Sequence, residues 1–183
     1  PLTSPQLDSH FTIPFTANDI GSGAERVELW YALNGGVWIM FGQVEATETE
    51  IQFAAPQDGT YDFSSIAVDR ARNREEAGPT SPKITGIIVD TLPPVISHPV
   101  PADGANLTDT NQPTISADWQ DLGAGINLTS ASISLDSLDI ASLATVQADG
   151  FSFPADPLVD GVHHVAVSIL DHASRQATLE WSF

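Results

Sequence analysis

The sequence has no cysteine and a single methionine. Without cysteine there are no disulfides, no thiolate nucleophile and no Cys-ligated zinc. Positive charge is also scarce: Lys and Arg total 6 against 24 Asp and Glu, a formal net charge of −18. So acidic a chain does not bind nucleic acid, whose phosphates need a basic surface. No apolar run approaches the roughly 20 residues of a membrane helix. The opening Pro1-Leu2-Thr3-Ser4-Pro5 has neither the basic start nor the apolar stretch of a signal peptide. With no initiator Met, the chain reads as part of a longer protein. Catalytic signatures are missing too: there is no Gly-x-Ser-x-Gly elbow, no His-Glu-x-x-His and no phosphate-cradling Gly loop. Carboxylate pairs occur everywhere in such a chain and carry no weight for glycosidase chemistry. The expectation is a protein that is not an enzyme.

What is present is β-structure. Apolar residues make up 42%, enough for packed cores, and 13 Gly with 13 Pro cut the chain into short segments. Apolar positions alternate in Phe11, Ile13, Phe15, in Val27, Leu29, Tyr31, and in Val165, Val167, Ile169. Period two means half-buried strands. Strands are predicted at 10–16, 26–33, 36–43, 50–54, 60–68 and 84–90, then at 95–98, 113–118, 130–135, 138–140, 143–147, 150–153, 162–170 and 176–183. No segment has a convincing 3.6-residue period, and Ala67 to Ala77, charged but almost without large apolar residues after Val68, reads as a loop.

The tandem prolines of Val89-Asp90-Thr91-Leu92-Pro93-Pro94 cannot continue a ladder and mark a boundary. They divide the chain into 1–92 and 93–183, each near the roughly 100 residues of an Ig-like sandwich. The halves repeat. Asp19-Ile20-Gly21-Ser22-Gly23 matches Asp121-Leu122-Gly123-Ala124-Gly125, Asp58-Gly59-Thr60-Tyr61 matches Asp160-Gly161-Val162-His163, and Ala67-Val68-Asp69-Arg70-Ala71 matches Ile169-Leu170-Asp171-His172-Ala173. All three pairs are 102 positions apart, which indicates a domain array. Pro93 lies 28 residues before Asp121, whereas only 18 residues precede Asp19, so the first domain is expected to lack its start.

At these residues the chain resembles the tandem Ig-like and fibronectin-III-like repeats of bacterial surface proteins and large adhesins. The family pattern has Asp-x-Gly-Ser-Gly before a strand, Asp-Gly-x-Tyr or Asp-Gly-x-His opening a later one, Asp-x-Ala-Gly-Asn after it, and a Val-Asp-Thr-x-x-Pro linker. Asp69-Arg70-Ala71-Arg72-Asn73 and Asp171-His172-Ala173-Ser174-Arg175 depart from it by lacking the Gly, and the second also lacks the Asn. The resemblance implies an all-β chain of two tandem Ig-like antiparallel β-sandwiches. It also implies a non-catalytic, extracellular or cell-surface spacer or adhesion module whose partners are neighbouring repeats. Such repeats often chelate calcium at their junctions, which stiffens the array.

Calcium takes six to eight oxygen ligands from flexible loops. In the second half, which has ten Asp and one Glu against Arg175 as its one Lys or Arg, Asp118, Asp121 and Asp171 fall in the inferred BC and FG loops. Ig topology puts these loops at the end where the linker residue Asp90 arrives. A junction site of Asp90, Asp121 and Asp171, with Asp118 as a fourth ligand, is one reading. Asp as a turn former, bonding its own backbone, is the other. Asp19 and Asp69 are the equivalents in the first half and are expected to be weaker or empty. The missing Gly in the Asp171 loop counts against inward-turned carbonyls.

Tyr61 matches the tyrosine corner of Greek-key sandwiches, and His163 takes its place in the second half with a structural role. His163 and His164 point to opposite faces, and five scattered His offer no zinc spacing. Trp30 and Trp38 flank the turn Asn34-Gly35-Gly36. They pack across the strands or, in an alternative reading as a carbohydrate-binding appendage of a secreted hydrolase, stack on glycan. Trp181 is assigned to the core. Arg70, Arg72 and Arg74, followed by Glu75 and Glu76, read as a solvated loop. Asn106-Leu107-Thr108 and Asn127-Leu128-Thr129 fit the glycosylation acceptor pattern, incidental in a bacterial protein. High net charge favours a monomer.

Overall fold

The alternating segments pair into antiparallel ladders throughout. A computed structural model describes residues 2–19 and 21–183. Pro1, and Ile20 of the first Asp-x-Gly-x-Gly motif, lie outside them. No helix occurs among the described residues, so no helix is long and apolar enough to cross a membrane. The chain separates into Pro1–Thr91 and Leu92–Phe183.

The first unit contains β1 (His10–Pro14), β2 (Ala24–Leu33), β3 (Ile39–Glu45), β4 (Glu50–Ala54), β5 (Gly59–Asp69) and β6 (Ile84–Val89). Its sheets are β1-β4 and β3-β2-β5-β6. The second unit contains β7 (Val95–Val100), β8 (Thr114–Gln120), β9 (Ile126–Leu135), β10 (Leu138–Asp139), β11 (Thr145–Gln147), β12 (Gly150–Pro154), β13 (His164–Asp171) and β14 (Gln176–Ser182). Its sheets are β7-β8-β12-β11 and β10-β9-β13-β14. In chain order these are A-B-E-D and C′-C-F-G, the strand order of an immunoglobulin-type sandwich. The first unit repeats it, with B and E alone in one sheet among the described residues.

The core of the first unit is aromatic. Phe53 is 1% exposed, and the rings of Phe11, Tyr31, Phe41, Tyr61 and Phe63 surround it with centroids 4.7–5.6 Å away. The second unit closes around Ile115, Trp119, Ile133, Phe151, Val165, Val167, Ile169 and Trp181. Trp181 is core, as its alternation with Glu180 and Ser182 implies.

Several elements differ from the sequence reading. β1 ends at Pro14, two residues short of the expected 16. The turn at Asn34-Gly35, both with positive φ (51° and 69°), closes the β2–β3 hairpin, and Gly36 N–H bonds Leu33 O. β3 begins only at Ile39, and Phe41 is the extra residue of a bulge between the Leu29–Gly42 and Trp30–Met40 pairs. β9 begins at Ile126 rather than 130, because the Ser130 hydroxyl bridges the irregular stretch by accepting from Leu170 N–H. The loop after β5 is not simply solvated. Arg74 reaches Glu28, whose side chain is 7% exposed, and Arg74 bridges Val68, so the loop folds back over β2 and β5. A buried Glu on the outer face of β2 needs such a partner, and the sequence separation of 46 residues hides the pairing.

Both units pin the chain entering strand F in the same way. Gly59 adopts φ +148°, and a Cβ there would sit 2.8 Å from Leu33 Cδ1. Two residues on, Tyr61 Oη donates to Gln57 O at 2.7 Å. In the second unit His163 Nε2 meets Val159 O, also four residues back, at 2.8 Å, and Nδ1 meets Asp136 Oδ2 at 2.7 Å. Both partners are acceptors, so the two contacts are both hydrogen bonds only in the imidazolium form, which carries a hydrogen on each ring nitrogen. The Asp136 hydrogen bond, then the Val159 carbonyl, holds the His163 pKa above its ordinary value against burial. Burial pushes the Asp136 carboxyl up, but hydrogen bonds from His163 and His164 outweigh it and hold it low.

The sign of the pH dependence follows. A raised histidine pKa gives stability that is full below the unfolded value of about 6.5 and is lost as pH rises through the folded value. The lowered Asp136 gives stability lost as pH falls through its folded value. Thermal melts across pH should show the second unit losing stability on the alkaline side. In Asp136→Asn, an NMR titration should show His163 titrating at lower pH.

Candidate metal centre

The loops that follow strands B and F are built on carboxylates. After β8, Asp121 Oδ2 accepts the N–H of Gly123 at 3.0 Å and of Gly125 at 2.6 Å. Gly125 sits at φ +81°, which turns its carbonyl toward the F–G loop, where it accepts from His172 N–H at 3.0 Å. At the end of β13, Asp171 Oδ1 accepts from Arg175 N–H at 2.8 Å, while Asp171 N–H donates to Arg175 O. The first unit repeats each bond. Asp19 takes Gly21 and Gly23, Arg70 N–H donates to Gly23 O, and Asp69 Oδ1 accepts from Asn73 N–H at 2.7 Å.

The F–G turn keeps its shape without the glycine of the repeat pattern. Arg72 and Ser174 occupy that position with φ of 68° and 67°. The absence of Gly does not prevent the turn; it places a Cβ in a left-handed conformation at a cost of roughly 1–2 kcal/mol.

The units differ in the second carboxylate oxygen. In the first, Asn73 Nδ2 donates to Asp69 Oδ2 at 2.8 Å, beside the Asn73 N–H on Oδ1. Chiefly through Asn73, these bonds hold the Asp69 carboxyl below its ordinary pKa. In the second, Arg175 stands in the place of Asn73. Asp171 is 1% exposed, its Oδ2 is buried, and that oxygen has no hydrogen-bond partner. A carboxylate oxygen of Asp121 lies within 4.8 Å of one of Asp171. Such a pair is repulsive unless a cation lies beside it. A buried polar atom left unsatisfied costs about 1–3 kcal/mol, and more when charged.

The remaining sequence candidates fall elsewhere. Asp118 is not in a loop: it lies inside β8, is exposed, and meets His98 Nδ1 at 3.0 Å. It does not join Asp121 and Asp171, because the ladder with β7 and β12 carries β8 on to Gln120. Asp90 follows β6; it is buried, and its N–H donates to Gln6 O at 2.9 Å. Asp19 is exposed and Asp69 half-buried. Trp30 and Trp38 are both half-buried, and Trp30 Nε1 donates to Glu28 Oε2 at 3.2 Å. The sequence reading missed Asp136, Glu28 and the unpartnered oxygen of Asp171. Only the last has a visible signal, the replacement of Asn73 by Arg175 at an otherwise matching loop.

No family model and no curated protein matches the chain. Solved structures similar to it include the fibronectin(III)-like modules of CbhA from Clostridium thermocellum, at 14% identity and a TM-score of 0.36, covering 100% of this chain and 89% of that one. Dimeric latent PorU from Porphyromonas gingivalis is similar at 16% identity and a TM-score of 0.40, covering 87% of this chain and 20% of that one. A marsupial T cell receptor is similar at 9% identity and a TM-score of 0.33, over 97% and 58%. The immunoglobulin-type architecture of the two units rests on their own strand order.

The left-handed turn yields a stability prediction. Ser174→Gly and Arg72→Gly relieve the Cβ strain but enlarge the freedom of the unfolded chain, for a net gain of up to about 1 kcal/mol. Ser174→Val, β-branched at the same φ, should destabilise. Urea denaturation of the three variants checks the order.

Proposed function

We propose that the chain is a non-catalytic module of an extracellular or cell-surface protein, one link in an array of repeats, and that calcium at its junction stiffens the link. The observation that carries this reading is the buried, unpartnered Oδ2 of Asp171 beside the Asp121 carboxylate. Turn chemistry explains Asp121 and the Oδ1 of Asp171. It leaves the second oxygen of Asp171 unexplained, whereas a hard divalent cation satisfies it and removes the repulsion between the carboxylates.

Asp90 is the third carboxylate of the proposed site. It stands five residues before Val95, whose ladder partner Gln120 adjoins Asp121. A fully extended chain spans at most about 17 Å over five residues, so the linker keeps Asp90 on a short tether. Backbone carbonyls and water would complete the shell. Asp118, engaged with His98, is not a ligand in this reading. In the first unit Asn73 already satisfies Asp69, so Asp19 and Asp69 hold calcium weakly or not at all. The partners are neighbouring repeats, and the isolated chain is a monomer, its net charge of −18 opposing self-association.

A second reading is kept for one observation. Trp30 pairs with Met40 on the face of β2 away from the aromatic core, and neither Trp30 nor Trp38 is fully covered. A carbohydrate-binding role would appear on a glycan array as binding lost in both Trp30→Ala and Trp38→Ala.

Calorimetry and small-angle scattering test the main proposal. Calcium should bind with measurable heat, and chelator should broaden the distribution of interdomain distances. Asp171→Asn should weaken binding at least tenfold, and Asp69→Asn should leave it unchanged. No heat, together with scattering curves that coincide with and without calcium, overturns it.

A further inference from the structure

The two units use one stretch of chain differently. Ladder pairs match at the repeat offset, Ile13–Ile51 in the first unit and Ile115–Phe153 in the second. Residues 34–49 therefore correspond to 136–151. In the second unit that stretch pairs with β9 through Leu138 and Asp139, then crosses to the other sheet as β11, where Thr145–Gln147 pair with β12. The counterparts of β11 are Gln43, Val44 and Glu45. They stay in β3 and pair with Glu28, Val27 and Arg26 of β2. As a result β12 lies between β8 and β11, whereas β4 has β1 alone among the described residues. The open edge of β4 comes from how residues within the chain pair.

Backbone direction shows what this edge offers. Phe15 N–H donates to Thr49 O and Ala55 N–H to Ser9 O, so alternate residues along β4 face β1. Successive residues of a strand present N–H and C=O to opposite edges. Glu50, Gln52 and Ala54 consequently turn theirs outward. Gly150 and Ser152 do the same toward β11, by the alternation that sends Trp119 N–H to Asp149 O and Ala155 N–H to Pro113 O.

The groove between the β3 and β4 edges has an apolar floor and an acidic rim. Phe41, the bulge residue of β3, is 37% exposed, with its ring 4.7 Å from that of Phe53. Val44 and Ile51 continue the floor, and the exposed Glu45, Glu48 and Glu50 line the same groove. No described Lys or Arg lines it. Arg26, opposite Glu45 in the ladder, is 3.1 Å from Glu25. A second copy would bring the same three carboxylates, and like charges across a ladder are destabilising. A segment that carries cations is stabilised by them instead.

We propose that the outer edge of β4 accepts an extended segment of another polypeptide in which basic and apolar residues alternate. The segment runs antiparallel to β4 and bonds the backbone of Glu50 and Gln52. Its apolar side chain opposite Ile51 lies over Phe41 and Val44, as the half-buried Val146 of β11 lies opposite Phe151 and packs on the core. Its basic side chains fall on the outer face with Glu50, and Glu45 and Glu48 add to the attraction. Main-chain bonds supply the affinity and the alternating side chains the specificity, as in other strand additions. The inference is independent of calcium.

The probe is a fluorescent, end-capped peptide of seven residues alternating Lys and Val, added to the full chain and read by anisotropy and amide hydrogen exchange. Saturable binding is expected, with new protection at the Glu50 and Gln52 amides. A peptide alternating Glu and Val should bind roughly tenfold weaker. Glu48→Lys with Glu50→Lys, both exposed and outside the core, should reverse the preference between the two peptides. Absence of saturable binding overturns the proposal. So does binding that leaves these amides unprotected, which would be charge attraction alone, or a preference unchanged in the double variant. A dimer that protects the same amides without peptide overturns it too, since the edge would then belong to a second copy.

Discussion

The structure depends on one recurring interaction: an aspartate at the end of a strand that accepts hydrogen bonds from the backbone of its own loop. Asp19 and Asp121 shape the loops after strand B, Asp69 and Asp171 those after strand F, and a backbone bond joins the two loops in each unit. This fixes the end of the sandwich without a helix, a disulfide or a large loop. It is also why so acidic a chain can fold. Its carboxylates are spent where unsatisfied N–H groups collect, and a carboxylate is a strong acceptor for them.

Once that framework is shared, the differences between the units become informative. Replacing Asn73 by Arg175 removes the side-chain donor that closes the first carboxylate and leaves Asp171 with an open oxygen. Replacing Tyr61 by His163 converts a neutral corner into a charged one that needs Asp136. Replacing Trp119 by Ala17 removes a large buried side chain from the B-strand end of the first unit. Each is one substitution at a matching place of a shared strand order.

Much of the plan was legible in the sequence because it is local. Period-two alternation located the strands, and three motifs at one offset located the repeat. Asp-Gly-x-Tyr located the corner, since Gly59 and Tyr61 act on neighbours four residues or fewer away, or on the adjacent hairpin. Asp121 and Asp171 are far apart in sequence, and only the inferred Ig topology, not a local pattern, put their loops at one end. What escaped is what depends on contacts distant in sequence. The Glu28–Arg74 pair crosses 46 residues and Asp136–His163 crosses 27. The place of Asp118 inside β8 depends on β7 lying alongside, which no local pattern states. The left-handed φ at Arg72 and Ser174 ran against the residue types, and only the surrounding hydrogen bonds impose it.

The central claim is that Asp171, unlike its counterpart Asp69, keeps a carboxylate oxygen for a cation. Side-chain carboxylate NMR during a calcium titration of the intact chain measures this directly. The account predicts saturating shifts at Asp121 and Asp171, with Asp19 and Asp69 unmoved over the same range. A resonance of Asp171 that does not respond, or equal responses at all four aspartates, would contradict it.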